Sequence, residues 1–379
     1  MISRFHIFFS IIQRLVRAGR RRNHDVLALA MVFILGLSPS ASAQFRSGFN
    51  TLPGFSENTS PQRIGDAHRF AKAKNKLTGC VRVEDEIWLV STRQLCQRTS
   101  PELDSTFQQA EVAQQIDGQW LPSTAEALLS AINNDQERWN LLFIHGNRTD
   151  LQWANLRGEE TYEALISGAS ASQCTTNPAP PVRWIIWAWN SDPLHVPRVD
   201  LAVKKQRAID QGTYLAEFFQ GVARPEMGVF AYSLGAQALA SSLRARQTAA
   251  SVHPEKPMAN NLDTGASPLE CAGPALDVVM VAGAVPTCWF NTVDAQTCLP
   301  PCVNRLTLIN NPEDRALHIY QRFTRQQPIG LHSTQVNASV PTETFIVSGN
   351  SLDNHYLSRY LEHSGTRQLI RQGLLPLGP

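Results

Sequence analysis

Gly228-Val229-Phe230-Ala231-Tyr232-Ser233-Leu234-Gly235-Ala236 sets a lone serine between a short apolar run and a helix-forming sequence. A strand, a sharp turn and a helix read this way when they present a nucleophile. The turn holds the serine backbone in a strained conformation, so the residues around it must be small. Gly235 meets that need, and Ala231 stands where the commoner pattern has its first glycine. Small-x-Ser-x-Gly also arises by chance, and a structural serine is the competing reading. The rest of the chain decides between them.

On either side, continuous apolar runs alternate with helical patterns, as in parallel strands buried on both faces by crossover helices. Strands are expected at 141–144, 182–189, 228–232, 277–283, 305–309 and 344–347, and helices at 153–166, 200–219, 234–246, 315–325 and 356–372. Earlier, 87–90 is a compact β-prone run, and Asp117-Gly118 within 108–121 is the kind of pair that closes a tight hairpin. Ser123 and Glu126 have capping-box spacing for a helix over 124–132. Two insertions, 247–276 and 284–304, are too short for a large cap domain but long enough to act as a lid. The fold class is therefore α/β, with a mostly parallel central sheet, helices on both faces and no large cap domain.

The chain has 379 residues, 43% of them hydrophobic, enough for one large domain. Residues 1–43 read as a secretory signal peptide. Arg14, Arg17, Arg20, Arg21 and Arg22 precede the apolar run 26–37, and Ala41-Ser42-Ala43 offers a cut before Gln44. The expected location is periplasmic or extracellular, with an uncleaved N-terminal membrane anchor as the alternative. Residues 44–78 read as an extended lead-in, and the folded domain is expected over 79–379. The leader holds six of the 34 basic residues and one of the 32 acidic ones, leaving 28 against 31. Nothing in that balance implies a nucleic-acid partner, and no transmembrane partner is implied. All seven cysteines fall in the exported part, where up to three disulfides are expected. Cys288, Cys298 and Cys302 share a loop, but no histidine accompanies them there, so stapling is a better reading than a metal site. No metal or cofactor is called for.

Serine needs a base within hydrogen-bond reach and an acid that orients the base. In an α/β sheet both come from the carboxyl ends of later strands. Past the strand ending at Ile309 come Glu313 and Asp314, and past the one ending near Val347 comes His355. An oxyanion hole is the remaining requirement. The strand followed by His145-Gly146-Asn147 provides one, with the N–H of Asn147 as one donor and that of Leu234 as the other.

Phe-Ile-His-Gly-Asn at 143–147, Ala-Tyr-Ser-Leu-Gly-Ala at 231–236, Asn-Pro-Glu-Asp-Arg-Ala-Leu at 311–317 and Asn-His-Tyr-Leu at 354–357 together resemble the α/β-hydrolase superfamily. In particular they resemble its bacterial family whose acid motif reads Asp-Arg-Ala-Leu. The resemblance spans about residues 85–375 and includes Ile-Trp-Leu-Val-Ser-Thr-Arg at 87–93 as a first strand. It implies an α/β-hydrolase fold and a serine hydrolase with Ser233 as nucleophile, Asp314 as acid and His355 as base. Glu313 is the alternative acid. His145 is expected beneath the oxyanion loop, with Gly146 and Gly235 as supporting residues.

The expected activity is hydrolysis of a carboxylic ester or related acyl bond in a small or lipid-like substrate, through an acyl-enzyme. The alternative is a non-catalytic envelope or binding protein on the same scaffold. That alternative predicts a relaxed turn at Ser233 or a His355 out of its reach. His318 and His332 read as packed or solvated histidines, and Trp184, Trp187 and Trp189 as core. Asp192 is expected to line the pocket or cap a turn. Of the sequons at Asn58, Asn147 and Asn337, a glycan on Asn147 would block the oxyanion hole.

Overall fold

The apolar runs form strands because their β-branched and aromatic side chains pack well on a pleated surface covered on both faces. The computed structural model describes residues 81–95, 106–167, 180–194, 196–252, 273–291, 302–332, 340–348 and 355–376. The chain divides into two units, Met1–Lys76 and Leu77–Pro379, and every described residue belongs to the second. The expected leader and lead-in lie outside the described residues, as do Asn58, Asn337 and five of the seven cysteines.

Among the described residues, nine strands make one sheet. They are β1 (Glu86–Ser91), β2 (Glu111–Ile116), β3 (Gln119–Ser123), β4 (Trp139–Ile144), β5 (Val182–Ala188), β6 (Glu226–Tyr232), β7 (Ala275–Val281), β8 (Val303–Asn310) and β9 (Thr342–Ile346). Their order is β3-β2-β1-β5-β4-β6-β7-β8-β9. Strand β2 is antiparallel to β1 and β3, and the other pairs are parallel. The order reverses between β4 and β6, where an open α/β sheet leaves a crevice at its strand carboxyl ends. This is an α/β-hydrolase-like architecture.

The helices are α1 (Ala125–Asn134), α2 (Leu151–Tyr162), α3 (Pro197–Gly221), α4 (Leu234–Val252), α5 (Cys288–Asn291), α6 (Arg315–Thr324), α7 (Leu357–Glu362) and α8 (Ser364–Leu374). Strand β5 is covered on both faces. Trp184 donates to the Gly158 carbonyl of α2 at 3.0 Å, whereas Trp187, of opposite parity, donates to Gln211 of α3 at 3.0 Å. Trp189 donates to the His145 carbonyl at 2.8 Å. All three tryptophans are fully buried with their N–H groups satisfied, the core role expected of them. Gly158 is required at the α2 crossing, since a β-carbon there would lie 2.3 Å from Ile186.

Several local expectations are corrected. Thr124, not Ser123, caps α1 by accepting from the Ala127 N–H at 3.1 Å, because Ser123 is still paired in β3 with Val112. The second helix begins at Leu151 under an Asp150 cap and ends in a π turn over Glu163–Ser167. The expected terminal helix is two helices, because His363 is extended and its ring accepts from Thr366 to cap α8. The hairpin at Asp117-Gly118 has φ of +52° and +75°, as a two-residue turn matched to strand twist requires. The first insertion is narrower than expected, since α4 runs to Val252 and β7 starts at Ala275, and the second is shifted two residues earlier, between Val281 and Val303. No disulfide joins Cys288 to Cys302, the two described cysteines. Among the described residues, no helix is long and apolar enough to cross a membrane.

Candidate active site

Ser233 follows β6 directly and precedes Leu234, the first residue of α4. Its φ is +55°, in the left-handed region that a β-carbon disfavours by about 1–2 kcal/mol. Three backbone bonds hold it there. Its N–H donates to Val281 at 3.1 Å, and its carbonyl accepts from Ala236 at 3.1 Å and Ala284 at 3.0 Å. Gly235 is necessary, because a β-carbon there would lie 2.4 Å from the Ile144 carbonyl oxygen and 2.6 Å from that of His145. Ala231 is accommodated, fully buried and in register with Ile144 and Met280.

Asp314 follows β8 as the N-cap of α6, and His355 precedes α7. The His355 Nε2 lies 2.7 Å from Ser233 Oγ, and its Nδ1 lies 2.5 Å from Asp314 Oδ2. A carboxylate accepts only, so Nδ1 carries the proton and the serine hydroxyl donates to Nε2. The Asp314 carboxylate is fully buried and has two further donors, the Leu317 N–H on Oδ1 at 3.0 Å and the Tyr360 hydroxyl on Oδ2 at 3.0 Å. Burial and the charge of Asp314 push the Tyr360 phenol up, which keeps it a neutral donor. The loop carrying Asp314 is braced by Gly330, whose N–H donates to Gly283 at 3.0 Å and whose carbonyl accepts from Asn311 at 2.8 Å. Any β-carbon at Gly330 would lie 2.4 Å from the Gly283 nitrogen.

The loop after β4 closes on the serine from the other side. A β-carbon at Gly146 would lie 3.0 Å from that of Ser233, so only glycine lets this backbone come so near. Beneath it, His145 Nε2 accepts from the Trp189 backbone N–H at 3.2 Å, which leaves the proton on Nδ1 for the Gly146 carbonyl at 2.8 Å. Burial brings the His145 pKa down to about 3, so the ring is neutral and holds this tautomer. Asn147 follows, with its Nδ2 directed at Asp200 Oδ2 at 3.4 Å. Leu234 supplies one of the N–H groups that have no intrahelical acceptor at the start of α4. The start of α4 and the Gly146 backbone both lie beside Ser233, and a helix N-terminus there can stabilise an oxygen that becomes negative.

The structure thus brings Ser233, His355 and Asp314 into one hydrogen-bonded chain, with His145, Gly146 and Gly235 around it. Glu313 is exposed, and it is Asp314 that meets His355. His318 is exposed and bonds the Pro312 carbonyl at 2.8 Å, and His332 is exposed too. Asp192 forms an ion pair with Arg93 at 2.5 Å. Sequence reading missed Tyr360, which no motif marks, and the buried pair of Lys204 and Asp200 at 2.7 Å. Their i,i+4 spacing is a signal for the pair, though not for its place against Asn147. Among the described residues, no group of three or more His, Cys, Asp or Glu is gathered as metal ligands.

No protein-family model matches the chain, and no curated protein matches it. A crystal structure of the lin2722 gene product of Listeria innocua is similar over 64% of this chain and 96% of its own, at 11% identity and a TM-score of 0.36. The fold is read from the order and direction of the strands, not from that likeness.

Proposed function

We propose that this protein is a serine hydrolase of carboxylic esters or related acyl bonds, with Ser233, His355 and Asp314 as nucleophile, base and acid. The observation that carries this reading is the unbroken chain from Ser233 Oγ through the His355 ring to Asp314, at 2.7 and 2.5 Å. Ser233 Oγ attacks the acyl carbon while its proton passes to His355 Nε2, and Asp314 stabilises the imidazolium. The carbonyl oxygen takes the negative charge against the Leu234 and Asn147 N–H groups. Protonation of the leaving alkoxide by His355 gives the alcohol and an acyl-Ser233. Water, deprotonated by the same ring, then releases the acid and restores the serine.

A non-catalytic scaffold has no use for strain at Ser233 or for an imidazole within bonding distance of it. The φ of +55° and the 2.7 Å contact therefore support the enzyme over that alternative. The signal-peptide reading of residues 1–43 supports export as the proposed location, with a small or lipid-like acyl compound as substrate. The test is a panel of p-nitrophenyl esters of increasing chain length. Wild type should hydrolyse at least one, and Ser233→Ala should lower kcat by about 10⁴-fold or more. Equal turnover by the variant, or none of any ester by wild type, contradicts the proposal.

A further inference from the structure

We infer that Tyr232, the residue immediately before the nucleophile, is a positioning residue that locks the His355 imidazole in line with Ser233. This rests on the hydrolase reading above. His355 has φ of +52°, a left-handed conformation unfavourable for a non-glycine residue, so something beyond its own backbone must hold it. Tyr232 does so in two ways. Its hydroxyl donates to the His355 backbone carbonyl at 2.5 Å, and its ring stacks on the imidazole with centroids 5.2 Å apart and planes 27° from parallel.

The other contacts of Tyr232 tie that lock to the rest of the site. A β-carbon at Gly146 would lie 2.9 Å from Tyr232 Cδ1, so the same ring touches the loop that closes on the serine. It also meets Tyr360 edge-on at 6.4 Å, and Tyr360 donates to Asp314. One side chain, attached to the strand end that carries Ser233, therefore contacts the base, the acid's hydrogen-bond donor and the glycine loop. Tyr232 is 3% exposed, and burial keeps its phenol neutral and donating. It touches no reacting atom. Its role is to fix where the imidazole points, a requirement of proton transfer.

Tyr232→Phe keeps the ring and removes only the hydroxyl. In the full-length protein, kcat on the preferred p-nitrophenyl ester should fall about ten-fold with KM unchanged, as when one hydrogen bond that matters in the transition state is lost. The downfield proton NMR signal of the His355–Asp314 hydrogen bond should shift or broaden, while the melting temperature changes little. Fluorotyrosine at the same position restores the hydroxyl and should bring kcat back to near the wild-type value. An unchanged kcat and downfield signal in Tyr232→Phe overturn the lock and leave the hydrolase reading standing. A fall in melting temperature with no selective loss of kcat makes the residue merely structural and also overturns it. If wild type turns over no ester, the reading of the site fails and the inference with it.

Discussion

Two turns in this molecule place non-glycine residues at nearly the same left-handed backbone angle, Asp117 at φ +52° and Ser233 at φ +55°. Asp117 lies in the β2–β3 hairpin, where Gly118 follows and a β-carbon on that glycine would meet nothing within 4 Å. Aspartate tolerates this region and the turn is open to solvent, so the conformation is nearly relaxed. Ser233 is buried, and the backbone of β4 closes on the glycine two residues later. The hairpin has this geometry because its residue types prefer it. The serine has it because everything around it leaves no alternative, and strain held that way is a mark of function.

That contrast sets the sizes of the expected effects. Gly235→Ala drives a β-carbon into two backbone carbonyls that cannot rotate away. It should destabilise the protein by about 3 kcal/mol in chemical denaturation and abolish turnover, and a loss below about 1 kcal/mol would show the turn to be as loose as the hairpin. Acid should weaken the buried region through His145, which titrates near 6.5 when unfolded and near 3 when folded. Between those values only the unfolded chain takes the proton, so this contribution is fully present above about pH 6.5 and falls by about 2 kcal/mol by pH 5. Denaturation of wild type and His145→Asn at pH 7 and pH 5 checks this, since the variant should lack that component.

Smaller effects sharpen the comparison. Ser233→Gly relieves the strain and should raise stability by about 1 kcal/mol while ester turnover is lost. Asp117→Gly should change the melting temperature far less, because little strain is present there to relieve. Gly118→Ala should cost about 1 kcal/mol through its φ of +75° alone and leave kcat untouched.

The same contrast explains what was legible in the sequence. The hairpin, the parallel strands and the order of Ser233, Asp314 and His355 follow from short-range chemistry: turn residues, apolar runs and strand ends. Strand limits shifted by no more than two residues, as at Val303 in β8, where pairing with Leu276 extends the ladder. The break at His363 escaped notice because the apolar periodicity continues on both sides of it while the cap depends on a side-chain contact with Thr366. Tyr232 and Tyr360 were invisible for a related reason. An aromatic residue in a strand or helix reads as core, and only the tertiary fold shows that their hydroxyls reach the His355 carbonyl and Asp314.

We propose that the strained serine is a nucleophile activated by His355. The most direct test of this is treatment of the native protein with a fluorophosphonate, followed by peptide mass mapping. A single covalent adduct is expected on Ser233, absent after unfolding and strongly slowed in His355→Ala. A native protein that stays unlabelled, or one labelled elsewhere with Ser233 untouched, would contradict it.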